Sequence, residues 1–179
     1  GIKDYLASLE LKMTIFEDDE SIIPRMSQMT QKTNQFNLTT ERYTEGDIKN
    51  FIENEFFKIF AFSVEDKFGD SGVTGLCIVN IDDNIKIADV DTLLMSCRII
   101  GRNIEYAFIE YVIEKIKEKK ITDLKAKYIK TQKNEQVKRF YDKCSFTLTE
   151  SNDSFRNYTL DISNYEPKQL KYIEIINRK

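Results

Sequence analysis

The stretch CRIIGRN, residues 97–103, contains the residue types that most directly suggest chemistry. Arg98 and Gly101 stand between a strand-like run and the start of a long helix-like run. Main-chain N–H groups at a helix start attract phosphate, and glycine allows its close approach. The stretch therefore predicts a phosphate site, which an acyltransferase, a phosphatase or a non-catalytic docking module could use.

The stretch ADVDTLL, residues 88–94, supplies two carboxylates just before it. Phosphatases of the haloacid dehalogenase (HAD) class open with Asp-x-Asp-x-Thr, but Thr92 follows Asp91 directly, one residue too early. A phosphatase is therefore not expected. The chain has no histidine, so the base of a transfer reaction must be a carboxylate. Asp91 is the first candidate, and the alternative is an ordinary solvent-facing acid.

The composition excludes several other kinds of catalytic and metal site. Without histidine there is no Ser-His-Asp triad and no His-based zinc site, and no CxxC pair replaces them, so no metal is expected. Cys77, Cys97 and Cys144 are widely spaced in apolar runs, which predicts reduced core thiols. Cys97, beside Arg98, is alternatively an acyl acceptor.

The 179 residues fit one compact domain. Neither a long apolar run nor a signal peptide is present, which predicts a cytoplasmic protein without membrane contact. We expect residues 1–10 to be a connector from an upstream domain, 11–165 to be the main domain and 166–179 to be a tail of uncertain structure.

Residues 115–139 hold ten Lys or Arg against three Asp or Glu. This basic segment is either a set of solvated faces or a surface for an acidic partner or nucleotide phosphates. Nucleic acid is not expected at a pI near 5.3.

Hydrophobic periodicity predicts the element order β-α-α-β-β-β-α-β-α-β-β. Ser21 is a predicted helix cap, and Thr44 with Asp47 resembles a capping box. Asn134 is predicted to cap a later helix that carries Tyr141. The last stretch, PKQLKYIEII, is a short helix or strand. The predicted strands are 11–17, 57–66, 72–82, 85–96, 124–128 and two more around SFTLTE and RNYTLDI, and the long helix is 102–120.

The strand before CRIIGRN, the helix after it, the fifth strand and NEQVKRFYDKCSF resemble, in order and content, the GNAT superfamily of N-acetyltransferases. The resemblance implies an α+β, GNAT-like (acyl-CoA N-acyltransferase) fold, with a mixed, mostly antiparallel central sheet and helices on both faces. The superfamily's pantetheine-phosphate loop reads Gln/Arg-x-x-Gly-x-Gly/Ala. Here it would be Arg98, Ile99, Ile100, Gly101, Arg102 and Asn103. Asn103 departs from the pattern.

The same resemblance implies further roles. Asn134 would contact the cofactor arm, and Tyr141 would protonate the leaving thiolate, although an N-cap and a core aromatic are the ordinary readings. A main-chain N–H near Leu94 or Met95 would stabilise the developing oxyanion. The polar stretch KTNQFNLTT would wall the acceptor site or simply bond its own loop. Its candidate substrate-binding residues are Thr33, Asn34, Asn37 and Thr39.

A closer resemblance covers nearly the whole chain. KTNQFNLTTERYTE, DKFGDSG, DTLLMSCRIIGR and the Asn134 helix resemble the C-terminal domain of FkbH-like proteins, which are linked to methoxymalonyl-acyl carrier protein biosynthesis in polyketide pathways. This implies an acyltransferase domain that binds the phosphopantetheine arm of coenzyme A, acyl-CoA or acyl carrier protein. An upstream HAD-type domain would load a glyceryl unit onto that arm. The alternative is a non-catalytic module that docks the carrier protein.

Overall fold

The computed structural model describes residues 1–96, 101–168 and 170–178, and eight strands in these ranges form one sheet. The strands are β1 (Leu11–Glu17), β2 (Phe57–Asp66), β3 (Gly69–Asp82), β4 (Ile87–Met95), β5 (Asp123–Ile129), β6 (Thr147–Ser151), β7 (Phe155–Asp161) and β8 (Ile173–Arg178). The helices are α1 (Ile2–Ser8), α2 (Ile23–Lys32), α3 (Glu45–Glu53), α4 (Ile104–Glu118) and α5 (Phe140–Lys143).

Across the sheet the strands lie in the order β6-β7-β5-β4-β3-β2-β1-β8. The pairs β4/β5 and β1/β8 are parallel, and the other neighbouring pairs are antiparallel. The predicted mixed, mostly antiparallel sheet is therefore confirmed. From β1 to β7 the predicted element order is also confirmed. The C-terminal stretch, which the sequence left open between helix and strand, forms β8.

Helices cover both faces of the sheet, as predicted. One face, the α4 face, packs against α1, α4 and α5 through a large core that includes Leu6, Phe108 and Tyr141. The opposite face, the α2 face, packs against α2 and α3 through a smaller core that includes Met26 and Ile48. Strands β3 and β4 contribute apolar side chains to both cores because they are buried on both sides.

Two of the predicted helix caps lie ahead of α2 and α3, and one of them is confirmed. Thr44 and Asp47 form the predicted capping box of α3: the Thr44 hydroxyl accepts from the Asp47 amide, and the Asp47 carboxylate accepts from the Thr44 amide. The prediction that Ser21 caps α2 is wrong. Asp19 accepts hydrogen bonds from the amide and hydroxyl of Ser21 at 2.9 and 2.6 Å, which caps a short 3-10 turn ahead of α2. An acid two residues upstream reaches the free amide first.

Both end segments belong to the core around the α4 face. Leu6 of α1, Leu9 after it and Ile173 of β8 are buried there. Among the described helices, none is long and apolar enough to cross a membrane.

Candidate functional site

Strands β4 and β5 pair with each other over only three residues. Ile87–Asp89 lies opposite Asp123–Lys125, and the pairing stops there. Immediately afterwards β4 has a bulge: Val90 faces Val79 and Thr92 faces Ile78, so Asp91 has no opposing residue on β3. A bulge bends its strand. The two parallel strands therefore part and leave a fork towards their C-terminal ends.

A part of the chain itself fills the middle of this fork. Residues 36–39, here called the bridging segment, run antiparallel to β4, with Asn37 opposite Leu94. On the β4 side, Leu38 N–H donates to the Leu93 carbonyl at 3.1 Å, and Met95 N–H donates to the Phe36 carbonyl at 3.0 Å. On the β5 side, Ile129 N–H donates to the Leu38 carbonyl at 2.8 Å. The sheet is thus continuous through the bridging segment.

Two cavities lie on either side of the bridging segment. The inner cavity, at the base of the fork, has a volume of about 450 Å³ and is lined by Asp89, Val90, Lys125, Ala126, Lys127, Thr149, Asn157, Tyr158 and Thr159. The outer cavity, beyond the ends of β4 and β5, has a volume of about 740 Å³ and is lined by Lys32, Thr33, Asn34, Gln35, Ser96, Gln132 and Lys133. Among the described residues the outer lining has two lysines and no carboxylate, so an anion is favoured there.

The predicted phosphate loop is described only in part. Arg98, Ile99 and Ile100 lie outside the described residues, as does Cys97. Gly101 has φ +99°, a left-handed conformation that favours glycine, and a Cβ there would meet open space.

The two residues that follow Gly101 make structural contacts. Arg102 forms an ion pair with Asp66 at 2.9 Å. Asn103 is left-handed at φ 62° and donates to the Tyr172 hydroxyl at 2.8 Å. The side chains of Arg102 and Asn103 are thus engaged with β2 and with the segment before β8.

Asn134 was predicted as a cap and arm contact, and its amide is fully bonded inside the protein. Its oxygen accepts from the Tyr128 hydroxyl at 3.1 Å and the Thr131 amide at 2.8 Å. Its nitrogen donates to the carbonyls of Ile129 at 2.9 Å and Asn37 at 3.0 Å. No cap bond forms from its side chain. Asn134 therefore fastens the bridging segment to the end of β5.

Tyr141 lies beneath the sheet on the α4 face, almost fully buried at 1% exposure. Its ring packs against those of Phe146 and Tyr158, and its hydroxyl has no hydrogen-bond partner. Burial, with a smaller contribution from Cys77, holds the pKa of Tyr141 well above its usual value. The hydroxyl therefore keeps its proton, and Tyr141 lines neither the inner nor the outer cavity.

Asp91 is held by two hydroxyl groups at the bulge. Its carboxylate accepts from the Tyr43 hydroxyl at 2.7 Å and from the Thr92 hydroxyl at 2.8 Å. Burial raises the pKa of Tyr43, and the Asp91 carboxylate raises it further. Tyr43 is itself fixed to α2, because its carbonyl accepts from Ser27 and its amide donates to Thr30. Sequence reasoning missed Tyr43, since nothing local links it to a strand 48 residues away.

The predicted oxyanion donors differ in direction. Met95 N–H is bonded to the Phe36 carbonyl. Main-chain groups alternate along a strand, so the neighbouring Leu94 N–H points to β3, where Leu94 pairs with Leu76. An acyl oxygen would therefore reach Met95 N–H only in place of Phe36.

The four candidate substrate-binding residues bond mainly to the protein itself. Thr39 donates to the Asp91 carbonyl at 2.8 Å. Asn37 donates to the Thr33 carbonyl and accepts from the Thr40 amide, at 3.1 and 2.9 Å. Asn34 accepts from Arg42. Thr33 and Asn34 also line the outer cavity, whereas Asn37 and Thr39 are buried within the bridging segment.

Glu105, in the first turn of α4, is a further candidate that sequence reasoning missed. It is only 7% exposed and lines a cavity of about 180 Å³ with Phe36 and Phe140 among its walls. One of its carboxylate oxygens has no hydrogen-bond partner, and burial raises its pKa. A signal was available: Glu105 occupies the same helical stripe as buried Ile109.

Comparison with known proteins places the fold. The chain resembles the PaiA N-acetyltransferase from Thermoplasma acidophilum in complex with coenzyme A, with a TM-score of 0.66 and 14% identity over 83% of this chain and 98% of that one. It resembles a spermidine N-acetyltransferase from Vibrio cholerae, with a TM-score of 0.63 and 12% identity over 87% of this chain and 96% of that one. It also resembles the ribosomal-protein alanine N-acetyltransferase from Escherichia coli, with a TM-score of 0.63 and 13% identity over 87% of this chain and 97% of that one.

No protein-family model and no curated protein matches the sequence. The structural likeness nevertheless defines the class: the chain has the GNAT acetyltransferase fold, as the sequence predicted. At these identities the likeness concerns the fold alone.

Proposed function

We propose that the chain is a GNAT-type acyltransferase domain that takes an acyl thioester on the phosphopantetheine arm of coenzyme A or of an acyl carrier protein. The observation that carries this proposal is the fork between β4 and β5, with a basic outer cavity at its mouth and a bulged acid at its base. The arm's phosphate would lie towards the mouth, near Gly101 and the start of α4. Its thioester would lie near Asp91.

The proposed reaction is acyl transfer to an amine. The amine nitrogen attacks the thioester carbonyl, the C–N bond forms and the C–S bond breaks. Asp91 accepts the proton from nitrogen, directly or through water, and Tyr141 gives a proton to the leaving thiolate. The Met95 N–H, once released from the Phe36 carbonyl, stabilises the oxyanion, whereas the Leu94 N–H points to β3. Asn134 holds the arm.

The acceptor side of the proposal rests on the polar residues of the α2–α3 connection. Thr33 and Asn34 line the outer cavity, so they would contact a polar acceptor or acyl unit as it enters at the mouth and passes along the fork to the thioester. Asn37 and Thr39 would join them once the bridging segment is displaced.

The proposed biological setting is that of FkbH-like proteins, through the sequence strings that resemble their C-terminal domain. In that setting the natural arm belongs to an acyl carrier protein that carries a glyceryl or methoxymalonyl unit, and an upstream HAD-type domain loads it. Carrier proteins are generally acidic. The basic segment, residues 115–139, places exposed lysines such as Lys130 and Lys133 near the mouth of the fork, where they favour such a partner.

The alternative is a non-catalytic module that docks the carrier protein. Two observations favour it: the bridging segment fills the fork, and the amide of Asn134 is saturated by protein groups. In that case the chain would bind a carrier protein without releasing thiol from its thioester.

The deciding experiment measures thiol release from acetyl-CoA and from an acetylated carrier protein in the presence of amine acceptors. Enzymatic transfer predicts release that Asp91→Asn slows by about 10²-fold or more. Asp83→Asn, in the exposed turn between β3 and β4, is the matched loss of charge and should leave turnover unchanged. Binding of the carrier protein without release would favour the docking module, and absence of both would exclude the proposal.

A further inference from the structure

The bridging segment occupies the path that the proposed function assigns to the arm. Along β4 the inner cavity ends at Val90, the segment bonds at Leu93 and Met95, and the outer cavity begins at Ser96. Along β5 the same order runs from Lys127 through Ile129 to the outer cavity. Removal of the segment would therefore join the two cavities into one cleft.

The main-chain groups that hold the segment are those an extended amide-bearing ligand would use. Leu93 offers a carbonyl and Met95 an N–H along one side of the fork. The phosphopantetheine arm contains two amides in an extended chain, so it can accept from one and donate to the other. Asn134 would exchange the Asn37 carbonyl for the arm in the same way.

The closed position of the segment is strained at one end. Thr40, which follows it directly, has φ 57°, and a β-branched residue seldom adopts this left-handed conformation. The Thr40 hydroxyl is also buried without a hydrogen-bond partner. Movement of the segment would let Thr40 leave this conformation and would give its hydroxyl access to water.

We propose that residues 36–39 form a displaceable plug, an autoinhibitory contact that must leave the fork before the phosphopantetheine arm can enter. This inference rests on the proposed function and concerns the regulation of the same site. If the open state holds about 1% of the population, the apparent dissociation constant is about 100 times the intrinsic one. Affinity would then depend on the bonds that hold the plug closed.

A reversible lock tests this directly. Asn37 and Leu94 are a non-hydrogen-bonded antiparallel pair, a geometry with Cα atoms about 4.5 Å apart, within disulfide range. Asn37→Cys with Leu94→Cys, made in a Cys97→Ser background and oxidised with oxidised glutathione, should fix the plug in place. Binding of coenzyme A and of a holo-carrier protein is measured before and after reduction, with Asn37→Cys in the same background as the control.

We expect the oxidised double variant to bind neither probe detectably, and we expect reduction to restore binding. Binding by the single variant should be the same before and after oxidation. Equal binding by the oxidised and reduced forms would overturn the plug and leave the proposed function standing. Failure of the wild type to bind either probe would overturn both.

A second variant changes the closed state without a crosslink. Thr39→Val removes the hydrogen bond to the Asp91 carbonyl, so the closed state loses stability and the apparent affinity for coenzyme A should rise about 2- to 10-fold. A purely structural role for Thr39 predicts no gain in affinity, and an unchanged or weaker affinity would count against the plug. In the wild type, hydrogen exchange at the Leu38 amide should accelerate when coenzyme A is added. Unchanged protection there would refute displacement.

Discussion

At the residue scale, Tyr141 has a hydroxyl group that is buried without a hydrogen-bond partner. A buried, unsatisfied hydroxyl destabilises the folded state. Tyr141→Phe should therefore leave the melting temperature unchanged or raise it slightly, while it slows thiol release and spares arm binding. A fall in stability together with unchanged turnover would show that the hydroxyl has a structural partner and no role as an acid.

Glu105 gives a pH-dependent prediction of its own. Burial raises its pKa in the folded state above the unfolded value of 4.5, so the folded state binds more protons and stability falls as pH rises through the interval between the two values. Glu105→Gln should stabilise the protein above that interval and have little effect at pH 4 and below. Urea unfolding at several pH values measures this. A benefit that appears only at low pH would contradict it.

At the element scale, Asn134 joins β5, the turn after it and the bridging segment through four hydrogen bonds. Asn134→Ala should cost about 3 kcal/mol because it leaves several of these buried groups unpaired. Asn134→Asp retains the two acceptor bonds but turns a carboxylate oxygen towards two main-chain carbonyl oxygens in a fully buried site, so it should cost at least as much. Urea unfolding at neutral pH ranks the two variants, and a much smaller cost for Asn134→Asp would mean that the donated bonds contribute little.

A second prediction at this scale concerns the packing of β2 against β3. A Cβ on Gly75 would lie 1.8 Å from the Phe62 ring, which also packs on Phe108 of α4. Gly75→Ala should destabilise the protein by about 1–3 kcal/mol. Gly46→Ala, in the first turn of α3 with its nearest contact at 3.7 Å, is the matched control and should be neutral or stabilising. Thermal melts compare them.

Most elements could be predicted from the sequence because their signals are local. Alternation and helical spacing located the strands and the long helix, and Thr44 with Asp47 marked α3. The bridging segment could not be predicted, since it pairs through main-chain groups that leave no trace in side-chain type. Asn37 and Asn134 also looked available for ligands, but the Asn37 side chain bonds within its own loop and the Asn134 side chain bonds to the distant Asn37 carbonyl. The assignment of Arg98, Ile99 and Ile100 to a phosphate-binding loop stays a prediction.

At the scale of the whole molecule, the basic segment gives a positive field that an acidic partner would meet. Lys133 lines the outer cavity and Lys130 directly follows β5, whereas Lys117 lies in the last turn of α4 and Lys120 just beyond it. Charge reversal of the first pair to Glu should slow association with a carrier protein, and the slowing should shrink as salt rises. Reversal of the second pair changes the net charge equally and should have a smaller effect. Stopped-flow association rates distinguish the two, and equal slowing would mean that net charge alone matters.

The burial of Cys77 and Cys144 in the core has a practical consequence. Burial raises the pKa of Cys144 to about 12, so thiol-specific dyes at neutral pH find almost no thiolate to attack there. Colour that develops promptly in a thiol-release assay would not come from these two side chains while the protein is folded. In a control reaction without substrate, the slow rate at which these two thiols are labelled would instead report how often the core opens.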